Sequence, residues 1–314
     1  EEDMAENERR LRQLHERMGD LGFGWDKGAA WRGGVVDAID PGMQGRIAEW
    51  RKSGLNIMMS EKSEAKPVSF LEDCAVELKD LAEYTDKLTA IFDRNGVKGT
   101  WYAHASVGCL HVRPVLNMKQ VGGAETMRAI AEEAFELVRS FGGSHSGEHG
   151  DGIVRSEFND RMFGPVLPDL FRQVKAMFDP QGMFNPGKIT DAPKMDEREL
   201  FRFAPGYEAE DFDSVLDWAA WPGAAGGFQG AVEMCNNNGA CRKLTGGVMC
   251  PSYRATRNER DAVRGRANSL RLAMSGQLGP GAMASDAMAE TMKLCVSCKA
   301  CKRECPVGVD MARM

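Results

Sequence analysis

The chain has 314 residues, 43% of them hydrophobic and 27% charged, which is the balance of an ordinary globular protein. A formal charge of −6 argues against a nucleic-acid partner, which would favour a basic face. No apolar run reaches the roughly 18–20 residues that cross a bilayer, and Glu1, Glu2 and Asp3 open the chain without a basic flank or apolar segment of a secretory signal. These features set the expectation of a cytoplasmic protein with no transmembrane segment, free to touch the inner face of a membrane peripherally. The length predicts two domains.

In chain order, the first landmark is a charged helix holding His15, a solvated residue with no assigned role. Residues 78–95 place Leu81, Tyr84, Leu88 and Ile91 at helical spacing, with Gly96 where a helix-terminating glycine belongs. Residues 99–105 and 109–117 read as two strands around a turn at Ser106–Gly108. A second helix is predicted over 125–141 through Met127, Ile130, Ala134, Leu137, Val138 and Phe141, followed by Gly142. Residues 152–157 suggest another strand and 168–178 a short helix. Helices alternating with antiparallel strand pairs predict an α+β fold, an antiparallel sheet covered on one face by helices. Composition shifts between Asp191 and Gly230, from a charged run into small residues, which reads as a linker. Beyond it the chain is helical, with an arginine-rich stretch over 258–274. The expected division is 1–195, a linker over 196–230, and 231–314.

Nine cysteines are unevenly spread: Cys74 and Cys109 stand apart, and seven fall between Cys235 and Cys305. Such clustering in a large acidic chain favours metal or iron–sulfur chemistry over a disulfide scaffold. Cys295, Cys298, Cys301 and Cys305, the last followed by Pro306, have the spacing of the bacterial ferredoxin run. Three of these thiolates can face one cubane, while the fourth points toward a second. A zinc site is the less fitting alternative, since it usually takes two separated cysteine pairs. The earlier group is Cys235, Cys241 and Cys250, the last followed by Pro251. Crossed ligation assigns Cys295, Cys298, Cys301 and Cys250 to a [4Fe–4S] cluster. Cys235, Cys241 and Cys305 are left for a second, with three irons or four. Asn238, where a middle cysteine would stand, is either a weak ligand or a capping residue.

The histidines concentrate too. His104 and His111 flank the predicted turn and can face one another across a strand pair. His145, Glu148 and His149 lie in a glycine-rich loop, where backbone can approach a ligand closely. Two imidazoles and a carboxylate suit zinc or another divalent ion with positions open for substrate, although paired histidines are also common as satisfied core groups. A cation there could grip a 2-hydroxy acid and lower its hydroxyl pKa, with His149 as general base.

Taken together, the segment 101–114, the Ser-Gly-Glu148-His149-Gly-Asp-Gly loop and the run from Phe178 through Asn185 to Lys188 resemble the C-terminal domain of the FAD-linked oxidases. The continuation through the cysteine groups resembles the branch that fuses this domain to an α-helical ferredoxin domain. This resemblance implies a ferredoxin-like α+β domain followed by an α-helical ferredoxin domain truncated at its C-terminus. It implies a missing N-terminal domain that would hold most of the FAD. It also implies a divalent metal, zinc by preference, on His104, His111 and Glu148, with His149 acting on the substrate. Arg51, just after Trp50, is the nearest match to the arginine that grips a substrate carboxylate, and Lys66, before Pro67, is a second carboxylate candidate; each could equally be a solvated charge. Asn185 and Lys188 match the motif that closes over the flavin or substrate. Arg113 replaces an Asn of some members and could meet a second substrate carboxylate or the adjacent domain.

The implied activity is FAD-dependent oxidation of a D-2-hydroxy acid of the D-2-hydroxyglutarate, D-lactate or glycolate type. Electrons would pass from flavin to one or two iron–sulfur clusters and on to a carrier protein or quinone. The isolated fragment is expected to be inactive. Two alternatives are a non-catalytic electron-transfer and docking subunit, which the intact Glu-His loop disfavours, and a zinc hydrolase, which would need no electron conduit.

Overall fold

The computed structural model describes residues 3–25, 34–209 and 214–314. Glu1 and Glu2, and residues 210–213 of the expected linker, lie outside them. The chain forms two compact units, Glu1–Leu55 and Asn56–Met314.

In the first unit, α1 (Met4–Asp20) starts at Asp3, whose carboxylate accepts the Ala5 and Glu6 amides and satisfies two of the free donors of the first turn. It carries an exposed His15, 3.1 Å from Asp37. The helix α2 (Pro41–Met59) follows and runs across the boundary into the second unit.

The second unit is organised around β4 (Cys109–Leu116). The strand β3 (Gly99–His104) pairs antiparallel along one edge of it, from Gly99 opposite Pro114 to His104 opposite Cys109. Along the other edge run β1 (Lys66–Pro67), against Leu116 and Val115, and β2 (Leu71–Ala75), against Val112 to Cys109. The turn from β3 to β4 closes at Gly108, whose φ of 70° and near-contact with the Val76 carbonyl leave no room for a side chain.

Period-two alternation sends Leu110, Val112 and Leu116 of β4 to one face, where α3 (Leu81–Arg94) and α4 (Val121–Ser140) cover them. Tyr84, Leu88, Ile91 and Phe92 of α3 meet Met127, Ile130, Ala131, Ala134, Phe135 and Val138 of α4 in this core. The helix-free face carries Cys109, His111 and Arg113. The expected sheet with helices on one face, followed by a helical region, is the observed fold.

The strand expected over 152–157 does not form. Gly150 and Gly152 adopt positive φ, and the segment folds into turns ending in a single helical turn at Ser156–Phe158. Its apolar residues suggest a strand, whereas the glycines on either side of Asp151 bend the backbone away from any ladder. After α5 (Asn159–Phe163) and α6 (Val166–Phe178) the chain becomes irregular, though Met195 and Trp218 are buried along it. The helices α7 (Gly227–Glu233), α8 (Pro251–Thr256), α9 (Val263–Met274), α10 (Asp286–Met292) and α11 (Ala300–Glu304) then enclose a second core that includes Cys235, Cys241, Cys250 and Cys301.

His145 belongs to the first core. It is 0% exposed, with its ring edge-on to Phe135 at 5.4 Å. Burial pushes its pKa below the ordinary imidazole value, against the opposing pull of Asp151. The sign follows: a lowered folded pKa means that the unfolded chain takes up the proton first, so stability falls as pH drops below about 6.5 and levels off below the folded value. We expect His145 to contribute up to about 1.4 kcal/mol per pH unit across that window. Urea titrations between pH 7.5 and 5.5 should show a shallower decline for His145→Phe, and an unchanged decline would count against a neutral buried ring.

Candidate metal centre and cluster sites

The ladder places His111 between Tyr102 of β3 and Glu72 of β2, and His104 stands two residues along β3 on the same face. The third participant comes from a loop. Residues after α4 return along β2, where Ser144 and Ala75 exchange backbone hydrogen bonds of 2.9 and 2.8 Å. The Gly147 amide then donates to the Asp73 carbonyl at 2.8 Å, so close that a side chain at Gly147 would crowd Asp73 and Ala75.

Asp73 is what fixes the loop. It occupies a bulge of β2 at φ 103° and is 0% exposed. Its carboxylate accepts the amides of Glu148 and His149, each at 2.8 Å, and the Cys109 thiol at 3.6 Å. Burial beside Asp73 pushes the Cys109 thiol up to about 12, so it stays protonated as the donor. Sequence reading missed Asp73. Its one signal was a pair of acidic residues inside the apolar run Phe70–Val76.

With the loop so held, Glu148 Oε1 lies 2.9 Å from His111 Nε2 and 3.4 Å from the Nε2 atoms of both His104 and His149. His111 is 1% exposed, and both its ring nitrogens lack a hydrogen-bond partner of good geometry. Burial, reinforced by His149, lowers its pKa, which favours the neutral ring that a cation needs. His104, Glu148 and His149 remain open to solvent. The donor set fits a divalent cation, with the orphaned His111 nitrogen as one ligand. Asp73, Cys109, His111 and Glu148 also bring ligand atoms within 4.8 Å of one another, as do Glu72, His111 and His149.

Two residues from His111, Arg113 is held by both oxygens of Glu72 at 2.7 and 2.6 Å in a largely buried pair. Lys66 lines the same cavity of about 320 Å³ as Arg113, together with Lys119, Arg202 and Glu233. Its ammonium reaches the Glu61 carbonyl and lies 3.6 Å from Met234 Sδ. Burial lowers the Lys66 pKa, and Lys119 and Arg202 push it the same way. Asn185 and Lys188 are exposed on the loop after α6, which Asp179 pins by accepting the Met183 and Phe184 amides. Arg51 stands exposed on α2 in the first unit.

The cysteines form two groups. Cys250, Cys295, Cys298 and Cys301 line one cavity, with Arg266 reaching Cys250 Sγ at 3.7 Å and positive φ at Ser297 and Lys299 curling the loop around it. Cys235 and Cys241 lie in the second core, and Cys305 packs against it. The Arg264 amide points at Cys241 Sγ from 3.4 Å. Four thiols around one cavity, with amide and guanidinium donors aimed at sulfur, fit iron–sulfur clusters. Asn238 accepts the Ala240 amide at 2.9 Å and so turns the chain toward Cys241.

A family model for FAD linked oxidases, C-terminal domain, matches residues 1–189, and one for a 4Fe-4S dicluster domain matches residues 231–309. The chain belongs to the FAD-linked oxidase C-terminal family. The chain is 30% identical over 299 residues to the D-2-hydroxyglutarate dehydrogenase of Pseudomonas putida, covering 85% of the chain and 29% of the relative. It is likewise 30% identical over 306 residues to that of Escherichia coli, covering 85% and 29%. A D-lactate dehydrogenase of Archaeoglobus fulgidus is 30% identical over 132 residues, 42% of the chain and 29% of the relative. The chain thus spans about 30% of the length of these curated relatives. The dicluster match supports an iron–sulfur cluster. Among the described residues no helix is long and apolar enough to cross a membrane.

Proposed function

We propose that this chain supplies the substrate face and the electron conduit of a flavin-dependent D-2-hydroxy acid dehydrogenase. The observation that carries the reading is the convergence of three imidazoles on the Glu148 carboxylate, on a chain that also gathers seven cysteines into two groups. In this reading His104, His111 and Glu148 hold a divalent cation, zinc by preference, which would polarise the substrate hydroxyl when bound. His149 takes the hydroxyl proton at Nε2, the ring atom that faces the cation ligands. Lys66 attracts a substrate carboxylate, with Arg51 as a second candidate. Arg113 orients Glu72, and Asn185 and Lys188 border the flavin side. FAD would supply the two-electron acceptor and the clusters one-electron carriers, with a carrier protein or quinone beyond them. The full-length relatives extend the reading to D-2-hydroxyglutarate, with D-lactate and glycolate as the other candidates. Domain boundaries at 195/196 and 230/231 and a cytoplasmic location are part of the same proposal.

Anaerobic mixing of the flavin-loaded full-length protein with each acid tests this directly. Substrate-dependent bleaching of a brown chromophore is expected; bleaching only by an external reductant would leave an electron-transfer subunit instead. In the same protein, Cys298→Ala should convert the cluster of Cys250, Cys295 and Cys301 to a three-iron form visible by EPR. An unchanged spectrum would remove Cys298 from the ligand set.

A further inference from the structure

The irregular connection and α9 place two arginines that the catalytic reading does not use. Arg202 donates from Nη1 to the Cys235 carbonyl at 3.0 Å, while its Nε and Nη2 are buried without a hydrogen-bond partner. Arg271 is 9% exposed, and its Nε and Nη1 are likewise buried and unpartnered. Among the described residues neither arginine forms an ion pair with a carboxylate. Glu233, which acts on Arg202, is engaged by Lys119 at 2.5 Å and accepts the Tyr207 hydroxyl. Two buried positive charges are thus left without a carboxylate ion pair of their own among the described residues.

Such an excess is costly, because a buried charge left unpaired destabilises a fold by several kcal/mol. The placement suggests what offsets it. On α9, Arg264, Asn268 and Arg271 follow at three- and four-residue intervals and share a face. The Arg264 amide points at Cys241 Sγ, and Asn268 donates to Asn237, two residues from Cys235, at 2.8 Å. Arg202 donates to the Cys235 carbonyl itself. A cluster with three thiolate ligands is anionic, and it would sit against this excess.

We infer that Arg202, backed by Arg271, is the built-in counter-charge of the cluster at Cys235, Cys241 and Cys305 and holds its reduction potential up. The inference rests on the two-cluster reading above. Reduction adds negative charge to the cluster, so a fixed cation a few ångströms away stabilises the reduced form. Arg266, beside Cys250, is satisfied by the Thr291 carbonyl and the Ser252 hydroxyl and serves the other cluster.

The test is EPR-monitored redox titration of the anaerobically purified full-length protein and of its Arg202→Gln and Arg271→Gln variants. At a fixed ambient potential the reduced-to-oxidised ratio of the second cluster should fall about tenfold in Arg202→Gln, equivalent to about 59 mV for one electron. The four-cysteine cluster should titrate as before and serves as the internal control. Unchanged ratios in both variants, with both clusters present by iron and sulfide content, would overturn the inference. If the Gln variants lose the second cluster, Arg202→Lys and Arg271→Lys decide the matter. Retention of the cluster with its potential supports a counter-charge, and its loss there too assigns the arginines a role in shape alone. Wild-type protein with iron for one cluster only would instead sink the two-cluster reading.

Discussion

Replacing Asp73 by alanine is expected to cost about 3–5 kcal/mol of stability and to weaken divalent-metal binding about 10–100-fold. The carboxylate is fully buried and accepts the amides of Glu148 and His149 and the Cys109 thiol. Its loss strands these donors away from water, where each unpaired group costs about 1–3 kcal/mol. It also frees the loop that carries one metal ligand and the proposed base. Arg155, 3.6 Å from the same carboxylate, loses part of its counter-charge. Urea unfolding and zinc titration of the purified protein measure both effects. Asp73→Asn, which keeps one acceptor oxygen, should fall between wild type and Asp73→Ala. Wild-type stability and zinc affinity in the alanine variant would show that the loop holds its shape without the bulge.

The second large effect is expected at His149. His149→Ala should lower turnover of a 2-hydroxy acid by about 10²–10⁴-fold in the flavin-loaded full-length protein, the usual contribution of a positioned general base. The ring stacks on His111 with centroids 4.8 Å apart, so its removal also leaves a gap beside the metal ligands. Zinc content and the cluster EPR signals should nevertheless stay at wild-type levels, because His104, His111, Glu148 and every cysteine remain. Turnover retained in that variant would move the proton-accepting role elsewhere, and loss of zinc would show that the ring supports the site structurally.

What sequence made visible was local. His104 and His111 were readable as neighbours because a short turn joins their strands: His104 lies two residues along β3 from Tyr102, the partner of His111, so period-two alternation puts both on one face. The helices α3 and α4 were readable from their apolar spacing and terminal glycines. The cysteine groups were readable because ferredoxin spacing is short and rigid. Long-range features were not. The strand β2 is buried along nearly its whole length, so Leu71–Ala75 shows no alternation to betray it, and the Asp73 bulge has no sequence signature beyond a misplaced charge. Arg202 and Arg271 lie 69 residues apart in the chain, and nothing in either neighbourhood announces that Arg271 acts on Arg202 or that Arg202 reaches Cys235. The glycine-flanked segment at 152–157 failed for the opposite reason: a local apolar pattern was present, but backbone conformation overruled it.

The second hydrophobic core is built partly of sulfur, since Cys235, Cys241, Cys250 and Cys301 lie among its aliphatic side chains. Under the proposed assignment, acquiring iron and completing that half of the fold are a single equilibrium. A cell starved of iron or of sulfide would then accumulate an open, protease-sensitive polypeptide rather than a stable apoprotein, and the steady-state amount of the chain would itself track iron supply.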